Sequence, residues 1–388
     1  MRVMGLFSGI GGFERSLASR GMECVGLCEI DDVARAVLHT HFPDVPIKKD
    51  VMEIKRLIGI DVVTAGFPCQ DLSQAGPRQG ISGDRSGLVD EIFRIISASR
   101  KKPEWVILEN VSYMLKLKKG HAMQHILKQA ENLGYKWAYR VLDARCFGLP
   151  QRRERVVILL SKSNDPSEVL FPEGNIQSRC DDRVGLVDMK SLYGFYWTEG
   201  KRGLGWVKDA VPTIKGGSAL GIPSPPAIWR PSTSAFGTPS IQDAERMFGF
   251  PANWTSAATK VSSRSGARWK LVGNTICVPM VDWVADQIVS PKGLNANIYA
   301  LSKQERLPIA AFGSKRHRYG VDVSAWATNQ NSPSLSSFLK YEMKPLSLRA
   351  ASGFYNRALE STAIRFADGF LDSMADYISR QESSALAI

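Results

Sequence analysis

The sequence is poor in cysteine and histidine, with six and five among 388 residues. Six irregularly spaced cysteines in so long a chain are not a disulfide framework. They imply a reducing compartment, and a cytoplasmic protein is expected. No apolar run reaches the ~18 residues of a membrane-spanning helix, so no membrane role is expected. The amino terminus, Met1-Arg2-Val3-Met4-Gly5-Leu6, enters a strand-like run at once. It lacks the basic stretch and longer apolar run of a signal peptide. Internal repeats and low-complexity tracts are absent, which excludes solenoids and linker-type chains. The pairs Cys24/Cys28 and His39/His41 lack metal-ligand spacing, and core packing is expected for the cysteines.

What is present is globular. Hydrophobic residues make up 44% and charged residues 23%. Lys and Arg outnumber Asp and Glu by 50 to 38, a net +12, which suits a polyanionic partner. The excess is +6 over residues 1–159, +1 over 160–240, +1 over 241–290 and +4 over 291–388. No single basic arm carries it. The length exceeds one ordinary core, so two or three domains are expected.

Short apolar runs alternate with amphipathic stretches through the first 160 residues. Val3–Leu6, Cys24–Cys28, Asp61–Ala65, Trp105–Leu108, Trp137–Leu142 and Val156–Leu160 read as strands. Phe13–Ser19, Asp32–His41, Leu88–Ser99 and Ala122–Leu133 read as helices. The pattern predicts a doubly wound α/β domain whose parallel sheet is covered on both faces. From Ser161 to about Ser240, Pro, Gly, Ser and Trp dominate, as in a small irregular domain. Helical pattern returns at Ile241–Phe248 and Val278–Val289, and once more near Phe366–Arg380.

Four segments carry chemistry. Leu6-Phe7-Ser8-Gly9-Ile10-Gly11-Gly12-Phe13-Glu14 follows the first strand and opens a helix. Glycines there admit a ligand close to the backbone, and a helix amino terminus favours an anion. A dinucleotide fingerprint has glycine where Glu14 stands, which counts against a nicotinamide-dependent oxidoreductase. The second strand ends at Glu29, able to accept from ribose hydroxyls. Gly66-Phe67-Pro68-Cys69-Gln70 follows another strand and offers a candidate nucleophile. Leu108-Glu109-Asn110-Val111 puts a carboxylate at a strand end, and Gln151-Arg152-Arg153-Glu154-Arg155 leads into the next. Alternation puts Gln151, Arg153 and Arg155 on one face. Singly, each is equally consistent with a tight turn, a buried cysteine or a solvated sheet edge.

In order and spacing the four closely resemble the DNA cytosine-C5 methyltransferases, over roughly residues 1–160 and 240–290. Ala244–Trp254 and Gly273-Asn274 resemble that family's last two motifs, with Asn274 opening a 274–289 helix. The resemblance implies a Rossmann-like S-adenosylmethionine-dependent methyltransferase domain over 1–160 plus 240–290. It implies a small target-recognition domain over 161–239, and leaves 291–388 as a carboxy-terminal extension of unknown role. Phe7, Gly9, Ile10, Gly11, Gly12, Glu29, Ile30, Asp50, Val51, Leu88 and Asn274 would hold S-adenosylmethionine. Cys69 would be the nucleophile, with Glu109, Arg153 and Arg155 around the cytosine. Pro68, Gln70, Ser73, Arg85 and Gln151 would meet the base or DNA. Lys49 stands where the family usually has Gly, and Phe248 where it usually has Gln.

The implied partner is duplex DNA, bound by a monomer, with a cognate restriction endonuclease as a further partner. The segment 73–87 would close over the minor groove. Base readout would involve residues such as Arg179, Arg183, Lys201, Arg202 and Lys215. Lys315–Tyr319, basic and aromatic, could contact backbone phosphate or be a solvated turn. The nearest competing activity is tRNA cytosine-C5 methylation within the same superfamily. A catalytically idle DNA-binding protein is the other, and the presence of every candidate catalytic group argues against it.

Overall fold

In the computed structural model, residues 1–68, 87–177, 185–199, 203–217, 225–302, 306–362 and 364–386 are described. The amino-terminal part forms β1 (Arg2–Leu6), β2 (Glu23–Cys28), β3 (Ile47–Lys48), β4 (Val62–Gly66), β5 (Trp105–Val111), β6 (Lys136–Asp143), β7 (Gln151–Arg152) and β8 (Glu154–Ser161). The insert forms β9 (Tyr193–Phe195), β10 (Val207–Lys208), β11 (Val211–Pro212), β12 (Ala227–Arg230) and β13 (Ala235–Thr238). The final segment adds β14 (Ile298–Ala300), β15 (Ala310–Gly313), β16 (Arg318–Val321) and β17 (Lys344–Pro345).

The main sheet has ten strands in the order β14-β16-β15-β6-β8-β5-β4-β1-β2-β3. Strand β5 shows why it is covered on both sides. Its side chains alternate, with Trp105 and Ile107 in one core and Val106 and Leu108 in the other. Helices Gly12–Ala18 and Val278–Val289 fill the first side with Phe13, Leu17, Val281 and Val284. Helices Gly87–Ser97 and His121–Asn132 fill the second with Ile92, Phe93, Met123 and Ile126. Asp31 caps the Asp32–His41 helix, its carboxylate accepting from the Val33 and Ala34 amides.

The sheet departs from the all-parallel expectation. Strands β3, β2, β1, β4 and β5 are parallel, but β8 pairs antiparallel with both β5 and β6. The link from β6 to β8 is too short to hold a crossover helix, so the two strands must run in opposite directions. Two helices also differ from expectation. Asn274 closes the Ala267–Asn274 helix rather than opening the next, which starts at Val278. The final helix runs Phe370–Leu386.

The segment 291–388 is woven into both sheets. Its strand β15 pairs antiparallel with β6, and β16 and β14 extend the same edge. Arg318 anchors that edge, giving a bidentate pair to Glu131 at 3.0 Å and a bond to Gln124 at 2.9 Å. Arg318 is therefore tied into the protein and braces this edge from within. Strand β17 closes a second sheet, β10-β9-β12-β13-β17. Over it, Phe354, Phe370 and Tyr377 pack against Phe195, Trp206, Trp229 and Phe236. The small domain thus shares one aromatic core with the last forty residues. No described helix is long and apolar enough to cross a membrane.

Candidate active site

The chain leaves β1 through a turn with three left-handed residues, Phe7 (φ 54), Gly9 (φ 56) and Gly11 (φ 83). Each glycine answers a different demand. A side-chain carbon on Gly9 would meet nothing within 4 Å, so that position faces open space. One on Gly11 would sit 2.4 Å from the Phe42 ring, and one on Gly12 2.9 Å from Ile276. Gly9 therefore belongs to the ligand side, whereas Gly11 and Gly12 let the first helix pack.

The Glu29 carboxylate, at the end of β2, fixes this turn. It accepts from the Gly9 amide at 2.7 Å and from the Asp31 amide at 2.9 Å. Each oxygen takes one of those bonds, and the half-buried carboxylate keeps lone pairs for an outside donor. Ile30, next in sequence, is 64% exposed, an apolar surface without a protein cover. Asp50 follows β3 and accepts from the Met52 amide, while Val51 is buried beneath it. Leu88 lies half-buried in the first turn of the Gly87–Ser97 helix. Ile10 is fully buried, and its carbonyl accepts from the Trp254 indole at 2.9 Å. It supports the turn from behind and does not line the open side. An exposed apolar residue, a ribose acceptor and an uncluttered glycine fit a nucleoside-bearing cofactor.

Glu14 lies under this turn, 1% exposed. A side-chain carbon on Gly5 would fall within 2.0 Å of its carboxylate, so β1 carries glycine to make room. Thr64 donates to Glu14 at 3.2 Å. Burial, reinforced by the Glu29 charge, pushes the Glu14 carboxyl up to about 7.

The second half of the site lies at the ends of β4 and β5. Gly66 and Glu109 are register partners there. The Asn110 amide donates to the Phe67 carbonyl at 3.1 Å, fixing the chain one residue before Pro68. Pro68 is exposed. Cys69, Gln70, Ser73 and Arg85 lie outside the described residues, as do Arg179, Arg183, Lys201 and Arg202. Glu109 forms an ion pair with Arg155, Nε to Oε1 at 2.9 Å, each side chain about one-tenth exposed. Burial raises the Glu109 carboxyl above the usual range, against the opposing pull of Arg155 and then Arg153.

Arg153 and Gln151 differ from the other predicted base contacts. Arg153 is 1% exposed and spends its guanidinium on backbone carbonyls: Ile214 at 3.2 Å, Gly273 at 3.2 Å and Thr275 at 2.7 Å. The Phe248 ring, standing where the family usually has Gln, lies 4.7 Å beneath it. Gln151 is fully buried, donating to the Met247 carbonyl and accepting from the Ile214 amide. Both tie the insert to the amino-terminal domain from buried positions, and the Arg153 Nε is left there without a partner among the described residues. Only Arg155 of this run reaches the Glu109 carboxylate by direct contact.

Asn274 is exposed, and its amide lies over Gly216, where a side-chain carbon would approach within 2.4 Å. Gly273 packs on the Lys215-Gly216 backbone with no room for a side chain. The strip Thr213–Gly216 thus runs from Arg153 to Asn274, joining the two halves of the site. Sequence reasoning missed this strip and the Asn110 clamp. The Glu-Asn-Val motif was a signal for Asn110; within 213–216 the sequence singled out Lys215 alone, as a candidate for base readout, and not the packing of the strip.

The family model for C-5 cytosine-specific DNA methylases matches residues 1–192. The chain is 45% identical over 385 residues to the type II methyltransferase M2.BsuMI of Bacillus subtilis, covering 98% of this chain and 99% of that one. It is 29% identical over 305 residues to M.MspI of Moraxella, covering 74% and 70%. Among solved structures it resembles the Dnmt2 methyltransferase of S. pombe, with a TM-score of 0.57 and 17% identity, covering 74% of this chain and 98% of that one. That likeness bears on the fold alone. The strand-end carboxylate with its arginine, the glycine turn and the full-length relative agree: the chain belongs to the C-5 cytosine-specific DNA methylase family and is a DNA cytosine-C5 methyltransferase.

Proposed function

We propose that the enzyme methylates C5 of one cytosine within a specific duplex sequence, through a covalent bond from Cys69 to C6 of the base. The observation that carries this reading is the buried Glu109–Arg155 pair, at the end of β5 beside the Gly66–Phe67 end of β4 that Asn110 clamps. S-adenosylmethionine supplies an electrophilic methyl sulfonium when bound. Glu29 would take its ribose, Ile30 and Val51 its adenine face, Asp50 the adenine amino group and Leu88 the rim. Asn274 would lie at the methionine end.

Cytosine C5 is too weak a nucleophile to attack a sulfonium unaided. Addition of the Cys69 thiolate to C6 moves the ring electrons toward C5 and splits one hard step into easier ones. The negative charge that develops at N3 and O2 needs a donor. Glu109, whose burial favours the protonated form, would donate to N3 in that form. Arg155 fixes the carboxyl and supplies positive charge. After C5 gains the methyl group, N3 returns its proton to Glu109, water takes the C5 proton, and the C6–sulfur bond breaks so that the thiolate returns. The base must leave the helix to reach these groups, a cost of a few kcal/mol. The small domain would select the sequence, and a restriction endonuclease of matching specificity would be the cellular partner.

The test is Cys69→Ala, assayed for tritiated methyl transfer to duplex DNA and for cofactor affinity. Transfer should vanish while affinity stays within a few fold. Near-normal turnover would remove Cys69 from the mechanism. Parallel assay on tRNA separates the competing substrate.

A further inference from the structure

The last segment reaches the active site through a chain of side chains in the small domain. Arg357 lies on the Leu348–Leu359 helix, whose other face, Ala351, Phe354 and Ala358, is buried in the shared aromatic core. Its guanidinium points the opposite way, toward the turn after β9. It donates to the Trp197 carbonyl at 2.9 Å and to the Glu199 carbonyl at 3.3 Å. The Trp197 indole is fixed in turn by the Pro225 carbonyl at 2.8 Å.

The same turn holds Lys215. The Glu199 carboxylate pairs with its ammonium at 2.5 Å, and the Tyr196 ring lies 4.1 Å from it. The Tyr196 hydroxyl donates to the Thr213 carbonyl at 2.9 Å, beside the Ile214 carbonyl that Arg153 holds. Lys215 and Glu199 are about half and two-fifths exposed, so this cation, on the Thr213–Gly216 strip whose Gly216 lies against Asn274, stands at the surface. Its direction is set by Tyr196 and Glu199, and theirs by a turn that Arg357 grips from outside.

We propose that Arg357 is a positioning residue for DNA recognition: it holds the Tyr196–Glu199 turn so that Lys215 is presented to the duplex beside the catalytic pocket. This rests on the reading of the small domain as the DNA-recognising part. Charge-assisted bonds to two carbonyl groups of one turn, those of Trp197 and Glu199, fix its orientation more than a neutral contact could. Because both carbonyls are near the surface, water replaces Arg357 when it is removed. The fold therefore loses little, and the placement of Lys215 is what changes.

The full-length enzyme is compared with Arg357→Ala, Arg357→Lys, Lys215→Met and the Arg357→Ala/Lys215→Met double variant. The readouts are KM for duplex DNA, kcat at saturating DNA, cofactor affinity and thermal midpoint. Arg357→Ala should raise the DNA KM about tenfold, with kcat within twofold and cofactor affinity unchanged. Arg357→Lys should recover part of the loss. The double variant should be no worse than Lys215→Met alone, since both changes act on one group. A normal DNA KM in Arg357→Ala beside an impaired Lys215→Met overturns the positioning role. So does an Arg357→Ala protein that loses cofactor affinity or unfolds early. Normal DNA kinetics in both single variants overturns instead the reading that this face of the small domain meets DNA.

Discussion

Glu14 makes the stability of the cofactor domain depend on pH in a calculable way. Its carboxyl is buried under the glycine turn, with a folded-state value near 7 against an ordinary 4.5. Below pH 4.5 the folded and unfolded chains both hold the proton. As pH climbs to about 7 the unfolded chain releases it and the folded chain keeps it, so stability falls with rising pH and then levels off. The full difference is on the order of 3 kcal/mol, and about 2 kcal/mol of it falls between pH 5.5 and 8. Glu14→Gln keeps the shape of the neutral acid and cannot ionise. Urea midpoints of the two proteins at both pH values, converted with a common slope, isolate this one group. The variant should gain on the wild type by about 3 kcal/mol at pH 8 and by roughly 1 kcal/mol at pH 5.5. A difference that does not change with pH would refute the reasoning, because it would mean that Glu14 is ionised throughout or never.

Other consequences follow from the same geometry. Arg153→Ala strips three buried carbonyls of their donor, at about 1–3 kcal/mol for each that water cannot reach. A loss of about 3–5 kcal/mol in the urea midpoint is expected, and a loss below 1 kcal/mol would show that the clamp is dispensable. Glu109→Gln keeps the volume but removes the acid, so kcat should fall by roughly a hundredfold or more while DNA affinity holds. A pre-steady-state assay of the methyl-transfer step checks it. Gly11→Ala forces a side chain against Phe42 from a left-handed backbone, and the cost should be about 2 kcal/mol or more, read as an early thermal midpoint.

The fold was legible where local pattern and burial agree. Strands such as β5 and β8 are continuous apolar runs because both faces are covered, and the runs show plainly in the sequence. Direction was less legible, since the pattern of β8 is the same whether it runs parallel or antiparallel. Only the short link from β6 reveals it. In the site, Gly9, Glu29 and Glu109 could be placed from their own segments, a turn after β1 and the ends of β2 and β5, because each is fixed by its local chain. For Arg153 the motif suggested a place around the base and carried no sign of the carbonyls it holds. Its partners are carbonyls more than 60 and more than 110 residues away, which no local spacing encodes. Phe248 beneath it is legible only afterwards, as the ring on which that guanidinium rests. The tail was opaque for the same reason: Arg357 and Phe370 acquire meaning only against the small domain's aromatic wall.

The stitching of β15 to β6 and of β17 to β13 also orders events during synthesis. Ala310 pairs with Arg140, 170 residues earlier, and Lys344 with Thr238. A nascent chain emerges from its amino terminus, so β6 stands as an open edge until residue 310 has left the ribosome. Open edges recruit other strands. A chain cut before residue 310 would expose that edge of β6, and association through it is the expected outcome, read as light scattering of the truncated protein. The small domain's aromatic core closes only when the last helix arrives. The small domain therefore reaches its packed form only after both its own strands and Phe370 have been synthesised.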